Sequence, residues 1–260
     1  MSPTKSNDWN PETYSRFRGL RLRPALDLMM QIGTPAGGAV VDLGCGDGAA
    51  AAALRARFPK RRLVGVDTSP AMLAKARGYD ATLLGDAAVW EPEEPVGVIF
   101  SNAALHWVAD HETLMPRLAR LLPDYGVLAV QMPGQHSAPS HAIARDLAAG
   151  MFPDRFDYTG WRPAVAMPVD YHRVLSPYGR VNAWEAEYLQ RLDPHDTDHP
   201  VRRFTESTML RPILEKLAGP DVGDFVAAYD AALDAAYPKE ADGSVLFPFR
   251  RVFFVLTKNG

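Results

Sequence analysis

The chain has 260 residues, 47% of them apolar and 23% charged, which is enough to bury a sizeable core as one large domain or two small ones. Its 28 basic and 31 acidic residues leave a net charge of −3, which excludes the strongly basic body that non-specific nucleic-acid binding requires. The lone Cys45 rules out an intramolecular disulfide and fits a reducing compartment. Residues 1–30 are broken by Asn7, Asp8, Asn10, Glu12 and several arginines, and nowhere do 18 apolar residues run together; a cytoplasmic protein without a membrane partner is expected.

From Val40 to about Met132, short apolar runs alternate with helical patterns, as in a parallel sheet covered by helices. Val40-Val41-Asp42-Leu43 reads as a buried strand followed by glycines. The alanine-rich stretch 49–58 is a helix that Pro59 stops. Leu63-Val64-Gly65-Val66 is a second strand ending at Asp67, and Ser69-Pro70 opens a helix to about Arg77. Runs 81–84, 96–100 and 127–132 supply three more strands. Before the last of these, Leu114, Leu118, Leu121 and Leu122 mark a helical face with Asp110 as N-cap, and Pro116 reads as a kink or a late start.

Beyond Met132 the periodicity loosens. Residues 134–140 are expected as a loop, 142–149 as a short helix and 151–179 as irregular chain. The run 181–192 alternates as a strand, 205–237 reads as two helices around Gly219-Pro220, and 251–258 is a final strand after the turn signal Asp242-Gly243. The fold class expected is α/β: a doubly wound, mostly parallel sheet in a single domain spanning 1–260. Residues 1–35 form an N-terminal helical lid, 36–133 a cofactor-binding core, and 134–260 an insert, helices and the last two strands.

Gly44, Gly46 and Gly48 alternate between a strand and a helix, where glycine permits a tight turn and close approach of a ligand to the backbone. Dinucleotide loops use G-x-G-x-x-G, with a pyrophosphate on the helix end. Here the spacing is G-x-G-x-G and two acids, Asp42 and Asp47, flank the loop. They would repel a pyrophosphate and suit a ligand bearing ammonium and sulfonium charge, which favours S-adenosylmethionine over NAD. Asp67 closes the second strand, where a carboxylate can accept both ribose hydroxyls; Asp86, after the third, suits an adenine amino group. Ser101-Asn102-Ala103 follows the fourth, again at the carboxyl edge where such sheets bind ligands. Cys45 is a small loop residue rather than a nucleophile, with no histidine nearby in sequence.

These motifs resemble those of class I S-adenosylmethionine-dependent methyltransferases. Further segments are similar to the trans-aconitate 2-methyltransferases: Asp8-Trp9-Asn10-Pro11 with Tyr14, Phe17 and Arg21-x-Arg23-Pro24-Ala25; Ser101-Asn102-Ala103-Ala104-Leu105-His106-Trp107; Leu128-Ala129-Val130-Gln131-Met132-Pro133; Leu210-Arg211-Pro212; Ala236-Tyr237-Pro238; and Phe247-Pro248-Phe249. The resemblance implies a Rossmann-like seven-stranded fold and methyl transfer from S-adenosylmethionine to a carboxylate of trans-aconitate, with S-adenosylhomocysteine as product. It implies that Asp67 holds the ribose, Asp86 and Ala87 the adenine, and Gly44, Gly46 and Asn102 the methionine end; Asp42, Thr68 and Met72 complete the cofactor set. Four positions depart from the family pattern: Asp47 for proline, His106 for glutamine, Gly134-Gln135 for Asp-Asn, and Phe204 for tryptophan.

A carboxylate is already ionised at neutral pH, so its methylation needs no strong base, no catalytic proton carrier is expected, and orientation is the main lever. A small anionic carboxylic acid calls for arginines. Arg16, Arg18, Arg21 and Arg23 form the densest basic stretch, and the alternative for it is a solvated helix face. The candidates for substrate binding are Trp9, Tyr14, Arg21, His106, Trp107, Tyr171 and Arg211. Trp9 and Tyr14 are placed in the lid. Arg211 has a rival role as a C-terminal helix arginine, Trp107 as a core aromatic, and His106 as a satisfied, partly buried histidine. His195 and His199 sit between Pro194 and Pro200 in a loop, and no metal is expected there. Competing readings are a methyltransferase for a carrier-bound acyl group or another small molecule, a non-catalytic S-adenosylmethionine-binding protein, and an NAD-dependent oxidoreductase.

Overall fold

The computed structural model describes the backbone of residues 18–206 and 208–260 and side chains from Leu22 onward. Trp9, Tyr14 and Arg16 lie outside the described residues, and Arg21 enters only through its backbone. In chain order the elements are α1 Arg18–Met30, β1 Ala39–Leu43, α2 Ala51–Arg57, β2 Leu63–Asp67, α3 Pro70–Leu73, β3 Ala81–Leu84, β4 Val96–Asn102, α4 His111–Arg120, β5 Val127–Pro133, α5 Pro139–Met151, α6 Pro168–Leu175, β6 Gly179–Leu192, α7 Pro200–Thr205, α8 Arg211–Leu214, α9 Pro220–Ala236 and β7 Val245–Lys258. The strands form a seven-stranded sheet in the order β3-β2-β1-β4-β5-β7-β6. β1 to β5 pair in parallel and β7 runs antiparallel to β5.

The chain divides into two compact units, one holding residues up to Pro133 with Ala164–Ala186 and Arg251–Gly260, the other Gly134–Pro163 and Glu187–Arg250. These boundaries differ from the expected 134–260 insert because α6 and the end of β7 belong with the cofactor half. In that unit β1 is buried along its whole length, as a central parallel strand covered on both faces must be. One face of the sheet packs Val41, Ile99, Val130, Met132 and Phe254 against Leu114, Met115 and Leu118 of α4. On α1, Ala25 and Leu28 are fully buried, and that helix packs against β5.

Several boundaries differ from the sequence expectations for identifiable reasons. The helix opened by Ser69, whose hydroxyl accepts from Met72 N–H at 3.2 Å, ends at Leu73; turns then lead to Gly78, at φ +90°. α4 starts on the Asp110 cap, which accepts from Thr113 N–H at 3.2 Å, and carries Pro116 within it rather than starting late. α6 occupies chain expected to be irregular, being eight residues long and led by proline, too short to print a period. α5 begins at Pro139, inside the expected loop. β7 begins six residues before the expected start and carries Pro248, a residue that cannot donate to the strand ladder, within it. The two helices expected over 205–237 appear as α8 and α9, and α7 precedes them.

Candidate active site

At the carboxyl edge of the parallel strands, the first unit encloses a cavity of about 400 Å3. Every residue of the candidate cofactor set lines it: Asp42, Gly44, Gly46, Asp67, Thr68, Met72, Asp86, Ala87 and Asn102. This follows from topology, since each of β1, β2, β3 and β4 delivers its last residues to the same edge. The loop after β1 is a left-handed run, with φ of +83° at Gly44, +55° at Gly46 and +88° at Gly48. Gly44 has a second reason to be glycine: a Cβ there would stand 2.1 Å from Ala104 Cβ.

Asp67 holds the loop. Its Oδ2 accepts from Gly46 N–H at 2.8 Å and its Oδ1 from Ser69 N–H at 2.9 Å, so its carboxylate is fixed before any ligand arrives. Asp42 is only 2% exposed. Burial pushes its carboxyl up to about 7, the Tyr79 hydroxyl donating to Oδ2 at 2.6 Å opposes that rise, and the charge of Asp67 adds to it. Burial and the same acidic neighbours push the Cys45 thiol far up, so it is not a nucleophile at neutral pH. Asp86 accepts from Ala88 N–H at 2.9 Å. Ser101 Oγ donates to Leu43 C=O at 2.7 Å, pinning β4 to β1 beside the loop. Asn102 Oδ1 is buried and has no hydrogen-bond partner among the described residues.

With Asp42, Asp47, Asp67 and Asp86 on its walls the cavity is acidic, fitting a ligand with ribose hydroxyls and positive charge and repelling a pyrophosphate. The orphaned Asn102 oxygen is an acceptor that an ammonium group would satisfy. Tyr79, Leu22 and Leu105 also shape the site, the last two on its wall, and sequence reasoning missed them. Tyr79 lies 37 residues from the carboxylate it bonds, with no local signal.

The substrate candidates scatter. Trp107 lines the cavity and is 47% exposed. His106 lies beside it with ring centroids 4.8 Å apart and does not line the cavity. Tyr171 is a correction: it is 2% exposed, stacks on Phe254 at 4.7 Å, and its hydroxyl lies 2.6 Å from His111 Nδ1 while accepting from Ala166 N–H at 3.1 Å. Since His111 Nε2 faces the Leu105 carbonyl at 2.9 Å, it carries the ring proton, and Tyr171 donates to Nδ1. It is a core residue because this network uses both of its hydrogen-bonding roles. Arg211 is in the second unit, where its Nε donates to Glu215 at 2.8 Å, and it opens α8 rather than ending a helix.

A family profile described as a methyltransferase domain matches residues 14–192. The chain is 40% identical over 262 residues to the trans-aconitate 2-methyltransferase of Methylobacterium radiotolerans, covering 96% of this chain and 98% of that protein. It is 38% identical over 256 residues to the protein of the same name from an Azoarcus species, covering 96% and 99%. The YcgJ protein of Bacillus subtilis, 16% identical, superposes with a TM-score of 0.54 over 92% of this chain and 99% of that one, and shares the fold. The chain belongs to the trans-aconitate 2-methyltransferase family.

In this methyltransferase two of the four departures are structural residues of the second unit. Gln135 Nε2 donates to the Pro248 carbonyl at 3.0 Å and its Oε1 accepts from Arg250 N–H at 2.9 Å, clamping the early part of β7. Phe204 packs edge-on to Phe247 and Phe249, each at 5.5 Å. Asp47 adds a carboxylate to the cavity of the methyltransferase, and His106 stands one residue from its wall.

Proposed function

We propose that the protein transfers a methyl group from S-adenosylmethionine to one carboxylate of a small polycarboxylic acid, trans-aconitate, giving the monomethyl ester and S-adenosylhomocysteine. The observation that carries this reading is similarity to trans-aconitate 2-methyltransferases along nearly the whole of both chains. S-adenosylmethionine, when bound, supplies an electrophilic methyl on a sulfonium. Asp67 would take the ribose hydroxyls, Asp86 and Ala87 the adenine, and Asp42, the glycine loop and Asn102 the methionine end. Thr68 and Met72 complete the wall.

The acceptor is an ionised carboxylate at neutral pH and needs no base, so the chain's task is to orient it and exclude water. Trp107, on the cavity wall, would face the acid. A cytoplasmic setting goes with this reading; no helix among the described residues is long and apolar enough to cross a membrane.

The test is purified protein with S-adenosylmethionine and a panel of di- and tricarboxylates beside a neutral phenol and an amine. S-adenosylhomocysteine release and ester mass are read together. Methyl ester formed from trans-aconitate is expected; turnover of the phenol or amine with none of any acid overturns the carboxyl reading.

A further inference from the structure

Strand register places two polar side chains outside the cofactor set, Gln131 and Arg251, on the same sheet face as Asp42 and Asn102, just behind the cavity wall rather than on it. In the parallel pairing of β4 with β5, Asn102 stands opposite Gln131, and in the antiparallel pairing of β5 with β7, Pro133 stands opposite Arg251. Side chains alternate across a sheet. Val130, Met132, Val252 and Phe254 point into the apolar core on one face, so Asn102, Gln131 and Arg251 share the other. Asp42 belongs to that face as well, through its pairing with Phe100. These side chains therefore lie along a diagonal of that face, from Asp42 level with Phe100, through Asn102 and Gln131 level with Phe253, to the buried Arg251 level with Pro133.

Gln131 is the unusual member. It is completely buried, and among the described residues neither its Nε2 nor its Oε1 has a hydrogen-bond partner. Its backbone carbonyl accepts from Ala103 N–H at 2.9 Å, and Ala103 is itself part of the cavity wall. Its register neighbour Asn102 also keeps an unpartnered buried oxygen. Native interiors rarely leave an amide idle at both ends, because each unmade hydrogen bond is destabilising there. A residue serving only the fold at this position would be apolar, as its flanking neighbours Val130 and Met132 are.

We propose that Gln131 is a substrate-binding residue for the acid, donating from its amide nitrogen to a carboxylate, with Arg251 supplying positive charge on the same face. This rests on the methyl-transfer reading given above and adds to it the place where the acid lies: beyond Asn102, on the β5–β7 side of the cavity. It also gives the diagonal a logic of charge, with acids facing the cationic donor and an amide and a guanidinium facing the anionic acceptor.

Gln131→Met keeps the side chain's length and removes the idle amide. Three measurements on the full-length enzyme test the proposal: the urea midpoint, S-adenosylmethionine affinity by calorimetry, and kcat/KM for the acid at saturating cofactor. The expected result is a midpoint equal to or above that of the wild type, cofactor affinity within about twofold, and kcat/KM lower by about ten- to a hundredfold, the loss of one hydrogen bond to a charged group. A variant that is less stable or fails to fold makes Gln131 a structural residue and overturns the proposal. So does an unchanged kcat/KM, which leaves the methyl-transfer reading standing. A wild-type enzyme that turns over no acid overturns both.

Discussion

Asp42→Asn is expected to stabilise the protein while weakening its hold on the cofactor, and the stabilisation should grow with pH. Burial moves the Asp42 carboxyl from 3.8 to about 7 in the folded chain, whereas an aspartate in the unfolded chain titrates near its ordinary ~3.9. Between those values the unfolded chain has released a proton that the folded chain still holds, so folding stability falls as pH rises through this window. About three pH units at about 1.4 kcal/mol each amount to ~4 kcal/mol. Water reaching the carboxylate through the cavity reduces this, leaving about 2–4 kcal/mol. Asparagine has no charge to bury and keeps an oxygen for the Tyr79 hydroxyl, which now reaches Oδ2 at 2.6 Å. Its advantage over the wild type should therefore be near zero at about pH 4, increase through pH 5–7 and level off above it. Urea unfolding at about pH 4.5, 6 and 8 measures this directly. Calorimetry with S-adenosylmethionine should show wild-type affinity falling below about pH 7 and the variant's affinity weaker but flat. A stability difference that does not change with pH, or a variant less stable than the wild type at pH 8, would refute the reasoning.

Two further substitutions probe the loop and the core. Gly44→Ala forces a Cβ into a left-handed backbone, at about 1–2 kcal/mol, and against Ala104, so the loop must shift and cofactor affinity should fall at least about tenfold; affinity within twofold by calorimetry would show that the loop accommodates the methyl group. Tyr171→Phe keeps the ring on Phe254 but strands His111 Nδ1 and Ala166 N–H, and should lower stability by about 1–3 kcal/mol in urea with little change in kcat; a manyfold rise in acid KM at unchanged stability would return Tyr171 to the substrate pocket.

The cofactor half was legible because parallel strands buried on both faces write themselves as apolar runs, and the residue that ends each run lies at the ligand edge. Asp42, Asp67, Asp86 and Asn102 could be placed from that rule alone. What escaped was long-range or too short to be periodic. Tyr171 pairs with His111 60 residues away, and nothing near either residue in the chain marks the pair. α6 is two turns long, and the first six residues of β7 include Pro248, which interrupts a strand pattern. Arg211 carried a readable signal in Glu215, four residues on, the spacing of a helical ion pair. Gln131 was quoted only as part of a motif; its significance lies in the partners it lacks, which a sequence does not display.

The position of Cys45 bears on how the enzyme would fare under oxidative stress. Peroxides attack the thiolate, and this sulfur is sheltered from solvent among carboxylates that oppose its ionisation. Sulfenic acid formation on the cofactor loop should therefore be slow, so methylation can continue in a cell whose more exposed, more acidic thiols are already being oxidised.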